Sequence, residues 1–141
     1  MDEADRLIEA LGLAPHPEGG WYRETWAAAA PAGGRPGATA ILFALRAGER
    51  SQWHRVDADE VWLWHAGAPL SLSLAETEAG PRRERRLGPD ALAGEEPQLV
   101  VPAGWWQSAR PVGAYGLVSC VVSPGFRFEG FELAPEGFDI P

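Results

Sequence analysis

The stretch that decides the fold runs from Gly48 to Gly67 and reads GERSQWHRVDADEVWLWHAG. Apolar and polar residues alternate on both sides of an acidic turn at Asp57–Asp59. A period of two is typical of β-strands, so two successive strands are predicted, the first carrying His54 and the second Glu60. In a curved sheet, strand alternation directs both side chains into one concave interior.

The rest of the chain has the same period of two, except for one helical segment at the amino terminus. That segment has apolar residues at helical spacing, with Asp2 as its N-cap and Gly12 at its end. The predicted strands cover Trp21–Trp26, Thr39–Leu45, Ser51–Val56, Glu60–His65, Leu70–Leu74, Arg83–Leu87, Gln98–Val101 and Gly116–Val122. Eight short strands separated by glycine, proline or charged turns predict an all-β sandwich or barrel.

The composition fits a single globular β domain over residues 1–141, with the helix in 1–12 and the barrel in 20–133. The chain has 141 residues, of which 17 are Gly and 13 are Pro. Its net charge of −8 argues against nucleic acid as a partner, because phosphate binding requires a basic face. The acidic segment Met1–Asp5 does not resemble a secretory signal, and no apolar run is long enough to span a membrane. We therefore expect a cytoplasmic protein.

His54 and Glu60 are the first candidates for chemistry. Histidine is scarce here, with three residues in the chain, and a carboxylate is costly to bury without a function. Trp62 has the same parity as Glu60 and is predicted to face the same space, whereas His65 has the opposite parity. A lone histidine on a strand is more often structural, but a nearby carboxylate and tryptophans favour a site. Cys120, the one cysteine, is predicted to be a small buried apolar residue.

A second group of candidates lies in the strand that follows two glycines. Tyr22 and Glu24 alternate there with Trp21 and Arg23. Either one face lines the pocket and the other packs at a subunit contact, or the strand is an edge with an Arg–Glu surface pair. If their face points inward, Tyr22 adds a phenol and Glu24 a second carboxylate beside His54.

The opening stretch resembles the first motif of the cupin superfamily, G-x5-H-x-H-x3,4-E-x6-G. Gly48, His54, Glu60 and Gly67 fall in register, and Val56 stands where the second histidine belongs. The second cupin motif, G-x5-P-x-G-x2-H-x3-N, is similar to residues 102–107, PAGWWQ, in which glutamine replaces the histidine. Further segments resemble the cupin-5 branch: HPEGGWYRET at 16–25, SQWHR at 51–55, DEVW at 59–62, SPGF at 123–126 and FEL at 131–133.

This resemblance, which spans nearly the whole chain, implies a double-stranded β-helix (the cupin jelly roll) with one short N-terminal helix and one pocket. It also implies a homodimer. It does not fix the reaction, because cupins include isomerases, dioxygenases, decarboxylases and binding proteins. Metal-dependent cupins hold an ion with three histidines and one glutamate, whereas this chain offers His54, Glu60 and, weakly, Gln107. Two good ligands are too few to bind a metal ion tightly, so no bound metal cofactor is predicted.

The sequence therefore predicts a small-molecule-binding cupin with an aromatic-lined pocket, and, if it is an enzyme, a metal-independent sugar epimerase or isomerase. His54 is the predicted base, Glu60 its orienting group or an acid, and Tyr22 a second acid. The ligand is expected to be carbohydrate-like or aromatic. Ligand contacts are assigned to Ser51, Trp62, Gln107, Trp106 and Glu24. The alternatives are a metal-dependent oxygenase or isomerase with a divalent transition metal at His54 and Glu60, and a non-catalytic sensor or binding module.

Overall fold

The alternating segments form β-strands in a computed structural model, which describes residues 1–141. One helix, α1, precedes most of them and covers Glu3–Leu11. The strands are β1 (Ala14–Pro15), β2 (Trp21–Ala27), β3 (Thr39–Arg46), β4 (Ser51–Val56), β5 (Asp59–Gly67), β6 (Leu70–Ala75), β7 (Arg83–Leu87), β8 (Gln98–Val101), β9 (Trp106–Pro111), β10 (Tyr115–Ser123) and β11 (Phe131–Leu133). Two single-turn 3-10 helices cover Ala91–Ala93 and Phe128–Gly130.

The strands pair antiparallel in two sheets. The first sheet has the order β1-β2-β3-β10-β5-β8, and the second has the order β11-β4-β9-β6-β7. Strands that are distant in sequence, such as β3 and β10, are therefore neighbours, and the chain crosses repeatedly from one sheet to the other. This arrangement confirms the predicted all-β jelly roll with one N-terminal helix.

The main hydrophobic core lies between the two sheets. Phe43 and Trp62 project from the first sheet and Leu72 from the second, and all three are almost fully buried. The rings of Phe43 and Trp62 meet edge to face, with centroids 6.0 Å apart. Burying side chains of this size contributes about 1.5–3 kcal/mol each to folding. The core therefore fixes the distance between the sheets, and with it the position of the polar residues that face inward.

The helix α1 packs on the outside of the first sheet. Asp2 caps its start by accepting a hydrogen bond of 2.8 Å from the backbone N–H of Asp5, and Gly12 ends it, as the sequence predicts. Ala4 is buried against Ala44 of β3 in a small separate cluster. None of the helical segments is long and apolar enough to cross a membrane.

The eight predicted strands are confirmed, with ends that differ by one or two residues at most. The prediction missed β1, β9 and β11. Strand β9 has the sequence WQSARP, which has no β-branched residue and ends in proline, so its pattern does not indicate a strand. It nevertheless lies inside the second sheet, because β4 and β6 pair with it on either side.

Candidate active site

A cavity of about 300 Å³ lies between the sheets and opens to solvent. Its buried lining includes five ionisable residues: His16, Glu18, His54, Glu60 and Cys120. Four aromatic residues, half-buried or exposed, line its outer part: Tyr22, Phe126, Phe128 and Phe131. The cavity thus has a polar floor and an aromatic mouth, an arrangement typical of small-molecule sites.

A tight turn from His16 to Gly20 brings Glu18 to the floor. The backbone N–H of His16 donates to the carbonyl of Gly20 at 2.9 Å, and that of Gly19 donates to the carbonyl of His16 at 3.0 Å. Gly19 has φ 103°, a region that favours glycine. The carbonyl of Glu18 accepts a 2.7 Å hydrogen bond from the N–H of Gln52, which attaches the turn to β4.

His54 projects into the cavity from β4, and only 1% of its surface is exposed. Its Nδ1 lies 2.7 Å from the carbonyl oxygen of Gln52, which accepts but cannot donate, so Nδ1 carries the proton. Its Nε2 lies 3.4 Å from Oε2 of Glu18. Burial lowers the pKa of His54 below its ordinary value of 6.5. The ring is therefore neutral near neutral pH, and Nε2 is an unprotonated base.

Glu60 faces His54 from β5 and is held from behind by two side chains. Its Oε1 accepts a 2.8 Å hydrogen bond from Nε2 of Gln107. Oε1 of Gln107 accepts one of 2.8 Å from the indole N–H of Trp62. Burial raises the pKa of Glu60 from 4.5 to about 7, with the nearby Glu18 adding to the shift. Glu60 therefore exchanges its proton near neutral pH.

Glu18 is a second buried carboxyl group, and Ser51 donates a hydrogen bond to its Oε2. Burial raises the pKa of Glu18 from 4.5 to about 8. Burial also lowers the pKa of His16, which lies beside it, from 6.5 to about 4. Two carboxyl groups that titrate close to neutrality therefore share the floor with two neutral histidines.

Of the residues predicted for the site, the structure brings four together in the cavity. His54 and Glu60 lie on its floor, and Tyr22 and Glu24 line its wall. Tyr22 packs against the main core and Trp21 against the cluster beneath α1, so the face of β2 that carries Tyr22 is turned to the interior, a point that the alternating pattern left open. Arg23, which precedes Glu24, also lines the cavity.

Three residues assigned to ligand binding are instead supports behind the lining. Gln107 and Trp62 are almost fully buried and hold Glu60. Ser51 is fully buried and holds Glu18. The predicted ligand contact of Gln107 is corrected in this respect, because its amide lies beneath Glu60 and does not line the cavity.

The prediction that Trp106 faces the ligand is also corrected. Gln107 points to the interior of the barrel, so strand alternation turns Trp106 to the outer face of the second sheet. There its ring packs against Phe138, with centroids 5.3 Å apart, and against Trp53. The inward ring of the tryptophan pair is Trp105, which packs against the main core.

His16 and Glu18 belong to the site but are not among the residues predicted for it. Both lie in the segment HPEGG, directly before the strand that carries Tyr22 and Glu24. The sequence does contain an indication that these two residues belong to the site, because one of only three histidines and an acidic residue directly precede a two-glycine turn. Cys120 is buried as predicted, but it also lines the cavity, where burial raises the pKa of its thiol.

Some of the atoms that could bind a metal ion already make hydrogen bonds within the protein. Gln107 directs its amide N–H at Glu60, and its oxygen is occupied by Trp62. The Nδ1 atom of His16 accepts the backbone N–H of Glu18 at 3.1 Å. No group of three or more His, Cys, Asp or Glu side chains has the arrangement that holds a metal.

The family model of the Cupin superfamily (DUF985) matches residues 5–134. The chain belongs to this family. A solved structure from Shewanella oneidensis has 40% sequence identity and a TM-score of 0.88, over 95% of this cupin and 85% of that chain. A hypothetical protein from Leishmania major has 31% identity and a TM-score of 0.86, over 97% of this cupin and 90% of that chain.

Oxalate decarboxylase from Bacillus subtilis shares only the fold. It has 14% identity and a TM-score of 0.64, over 84% of this cupin and 29% of that chain. None of the curated proteins compared with this cupin matches it.

We expect the free energy of unfolding of this cupin to decrease between pH 6.5 and 8. The folded protein keeps protons on Glu18 and Glu60, with pKa values of about 8 and 7, that the unfolded chain releases near 4.5. Below pH 6.5, His16 and His54 act in the opposite direction, because the unfolded chain binds protons that the folded histidines do not. Between pH 4.5 and 6.5 the two effects on the free energy of unfolding oppose each other. Above pH 6.5 only the two carboxyl groups still act, and they lower the free energy of unfolding as the pH rises.

The expected decrease is on the order of 2 kcal/mol across that window. Urea unfolding at several pH values measures it, and Glu18→Gln is expected to flatten the curve. A stability that increases from pH 6.5 to 8 would contradict the protonation states assigned to the two carboxyl groups.

Proposed function

We propose that this cupin binds a small molecule in the cavity and moves a proton on and off one of its carbon atoms without a metal, as a sugar isomerase or epimerase does. The observation that carries the proposal is the position of His54. Its unprotonated Nε2 lies on the floor of the cavity between two buried carboxyl groups. A buried base among groups that titrate near neutrality is the arrangement that acid–base catalysis requires.

His54 is the base in this reaction. The carbonyl of Gln52 fixes the orientation of the ring and keeps the proton on Nδ1, so that Nε2 is available. Glu60 favours the protonated form of His54 through its negative charge. Gln107 and Trp62 hold Glu60 in place and are positioning residues. Tyr22 provides a hydroxyl group in the wall of the cavity as a hydrogen-bond donor.

The mouth of the cavity favours a ligand with a flat apolar face. Phe126 meets Phe128 and Phe131 edge to face, with centroids 5.0 and 5.7 Å apart. Such rings pack against sugar rings and aromatic groups. A cavity of about 300 Å³ lies at the small end of the range for ligand sites and suits a monosaccharide or a single aromatic ring.

Solvent exchange tests this function. We expect the untagged protein, incubated in D₂O with a panel of aldoses, ketoses and aromatic hydroxycarbonyl compounds, to incorporate deuterium beside the carbonyl group of at least one of them. Proton NMR follows the loss of the C–H signal. Exchange is expected to continue unchanged in EDTA, because the proton moves between side chains and substrate.

Two results would favour the alternative functions. Tight binding of a compound without exchange would indicate a non-catalytic binding module. Exchange that stops in EDTA and returns with one equivalent of a divalent transition metal would indicate a metal-dependent cupin, with His54 and Glu60 as ligands.

A further inference from the structure

The Glu18 carboxyl group lies between two histidine nitrogens that carry no proton. Nε2 of His54 is bare because the proton of that ring is on Nδ1, and it lies 3.4 Å from Oε2 of Glu18. Nδ1 of His16 is bare because it accepts the N–H of Glu18, and it lies 3.3 Å from Oε1. If Glu18 were ionised, each of its carboxylate oxygens would face a histidine nitrogen, and all four atoms would be hydrogen-bond acceptors. A proton on Oε2 of the carboxyl group turns the contact with His54 into one between a donor and an acceptor and removes the charge that both nitrogens face.

We propose that Glu18 is the proton donor of this site and that the substrate is an uncharged carbonyl compound with a hydrogen on the adjacent carbon. This inference rests on the function proposed above and adds to it the second catalytic group and the substrate class. From the sequence alone, Glu60 or Tyr22 is the predicted acid. The geometry favours Glu18, because it is the carboxyl group that faces the bare nitrogen of His54.

In the proposed step, His54 and Glu18 act on the substrate together. Nε2 of His54 removes the proton from the carbon beside the carbonyl group, and the electron pair of that C–H bond forms a carbon–carbon double bond. The carbonyl π bond breaks, and its oxygen takes the proton of Glu18. The products are an enol, or an enediol from a hydroxycarbonyl compound, an imidazolium and a carboxylate. In the second half of the reaction, the imidazolium of His54 returns a proton to carbon while the Glu18 carboxylate takes a hydroxyl proton and the carbonyl π bond forms again. Return to the opposite face of the same carbon, with Glu18 taking back the proton it gave, is an epimerisation. Return to the former carbonyl carbon of an enediol, with Glu18 taking the proton of the neighbouring hydroxyl group, is an isomerisation.

His54 and Glu18 together carry no net charge before or after this step. The imidazolium of His54 and the carboxylate of Glu18 form a close ion pair, which is important because both side chains are buried. An isolated imidazolium at such a buried position would be strongly disfavoured. Glu18 thus supplies the proton and also the charge that stabilises the protonated base.

The charges around the cavity explain why the reacting part of the substrate is uncharged. The groups on the floor that face Glu18 are His16, Ser51, His54, Glu60 and Cys120. None of them is a permanent cation, so the floor offers no partner for a substrate carboxylate or phosphate. The charged groups in the outer part are Arg23 and Glu24, which are exposed.

The protonation of Glu18 is measurable without substrate. In protein labelled with ¹³C at glutamate carboxyl carbons, we expect two signals, those of Glu18 and Glu60, to remain largely those of protonated acids at about pH 6, where exposed glutamates have ionised. The one of the two that is lost in Glu18→Gln belongs to Glu18. Nitrogen-15 NMR is expected to show His54 neutral with a bare Nε2. A carboxyl group of Glu18 that is ionised at this pH in the wild type would overturn the proposal, and this test requires no substrate.

The donor role is tested by exchange kinetics. Glu18→Gln is expected to slow deuterium exchange at least 10²-fold, the order of magnitude of an acid's contribution. The matched control is Glu78→Gln, an exposed glutamate in a turn outside the cavity, for which the rate is expected to stay unchanged. Circular dichroism verifies that both variants fold.

The outcomes separate this proposal from the proposed function. Exchange in the wild type that persists unchanged in folded Glu18→Gln would overturn the donor role and leave the proposed function standing. The absence of exchange in the wild type with every compound of the panel would overturn the proposed function, and the donor role with it.

Discussion

Replacing His54 with glutamine is expected to lower the rate of deuterium exchange by about 10²- to 10⁴-fold while the barrel stays folded. Glutamine is polar and similar in length, but it cannot accept and carry a proton as imidazole does. The remaining floor groups, Glu18 and Glu60, stay in place because other side chains hold them. The rate is measured with the compound of the panel that the wild type exchanges most rapidly.

The control for this substitution is His65→Gln. His65 also lies on a strand, but it is exposed on the outside of the first sheet and is outside the cavity. Its replacement is expected to leave exchange unchanged. If His54→Gln lowers the melting temperature by many degrees and ligand binding is unaffected, His54 is a structural residue and the proposed function is wrong.

Replacing Gly19 with alanine is expected to decrease the free energy of unfolding by about 3 kcal/mol. Two effects combine at this position. The φ of 103° is unfavourable for a residue with a side chain, and a Cβ atom there would overlap the carbonyl oxygen of Arg50. The turn would have to move away from β4, and Glu18 would leave the floor of the cavity. We therefore expect loss of exchange as well as loss of stability.

The matched control for the backbone effect is Gly33→Ala. Gly33 also has a positive φ, 73°, but a Cβ atom there would meet no atom within 4 Å. Its replacement is expected to decrease the free energy of unfolding by about 1 kcal/mol, because only the unfavourable backbone conformation contributes there. Urea unfolding of both variants measures the difference. Equal losses of stability would show that close packing of the turn on β4 is unimportant.

The sequence alone determined most of the secondary structure and the fold class. The capped helix between Asp2 and Gly12 and eight of the eleven strands follow from local spacing, because a segment's own period decides which face it can bury. His54 and Glu60 were predicted to meet because one short turn joins their strands. The homodimer and the cytoplasmic location stay predictions of the sequence.

Only the tertiary structure decided which side chains complete the site. Glu18 reaches His54 because the turn at Gly19 packs on β4, and Gln107 reaches Glu60 across the interior from the opposite sheet. Strand β9, which carries Gln107, is a strand only because neighbours pair with it on both sides. These contacts join segments far apart in the chain, and their energies depend on how the two sheets pack together. Local periodicity reports which face of a strand is buried, whereas the partner that a buried side chain meets is set by the packing of the whole barrel.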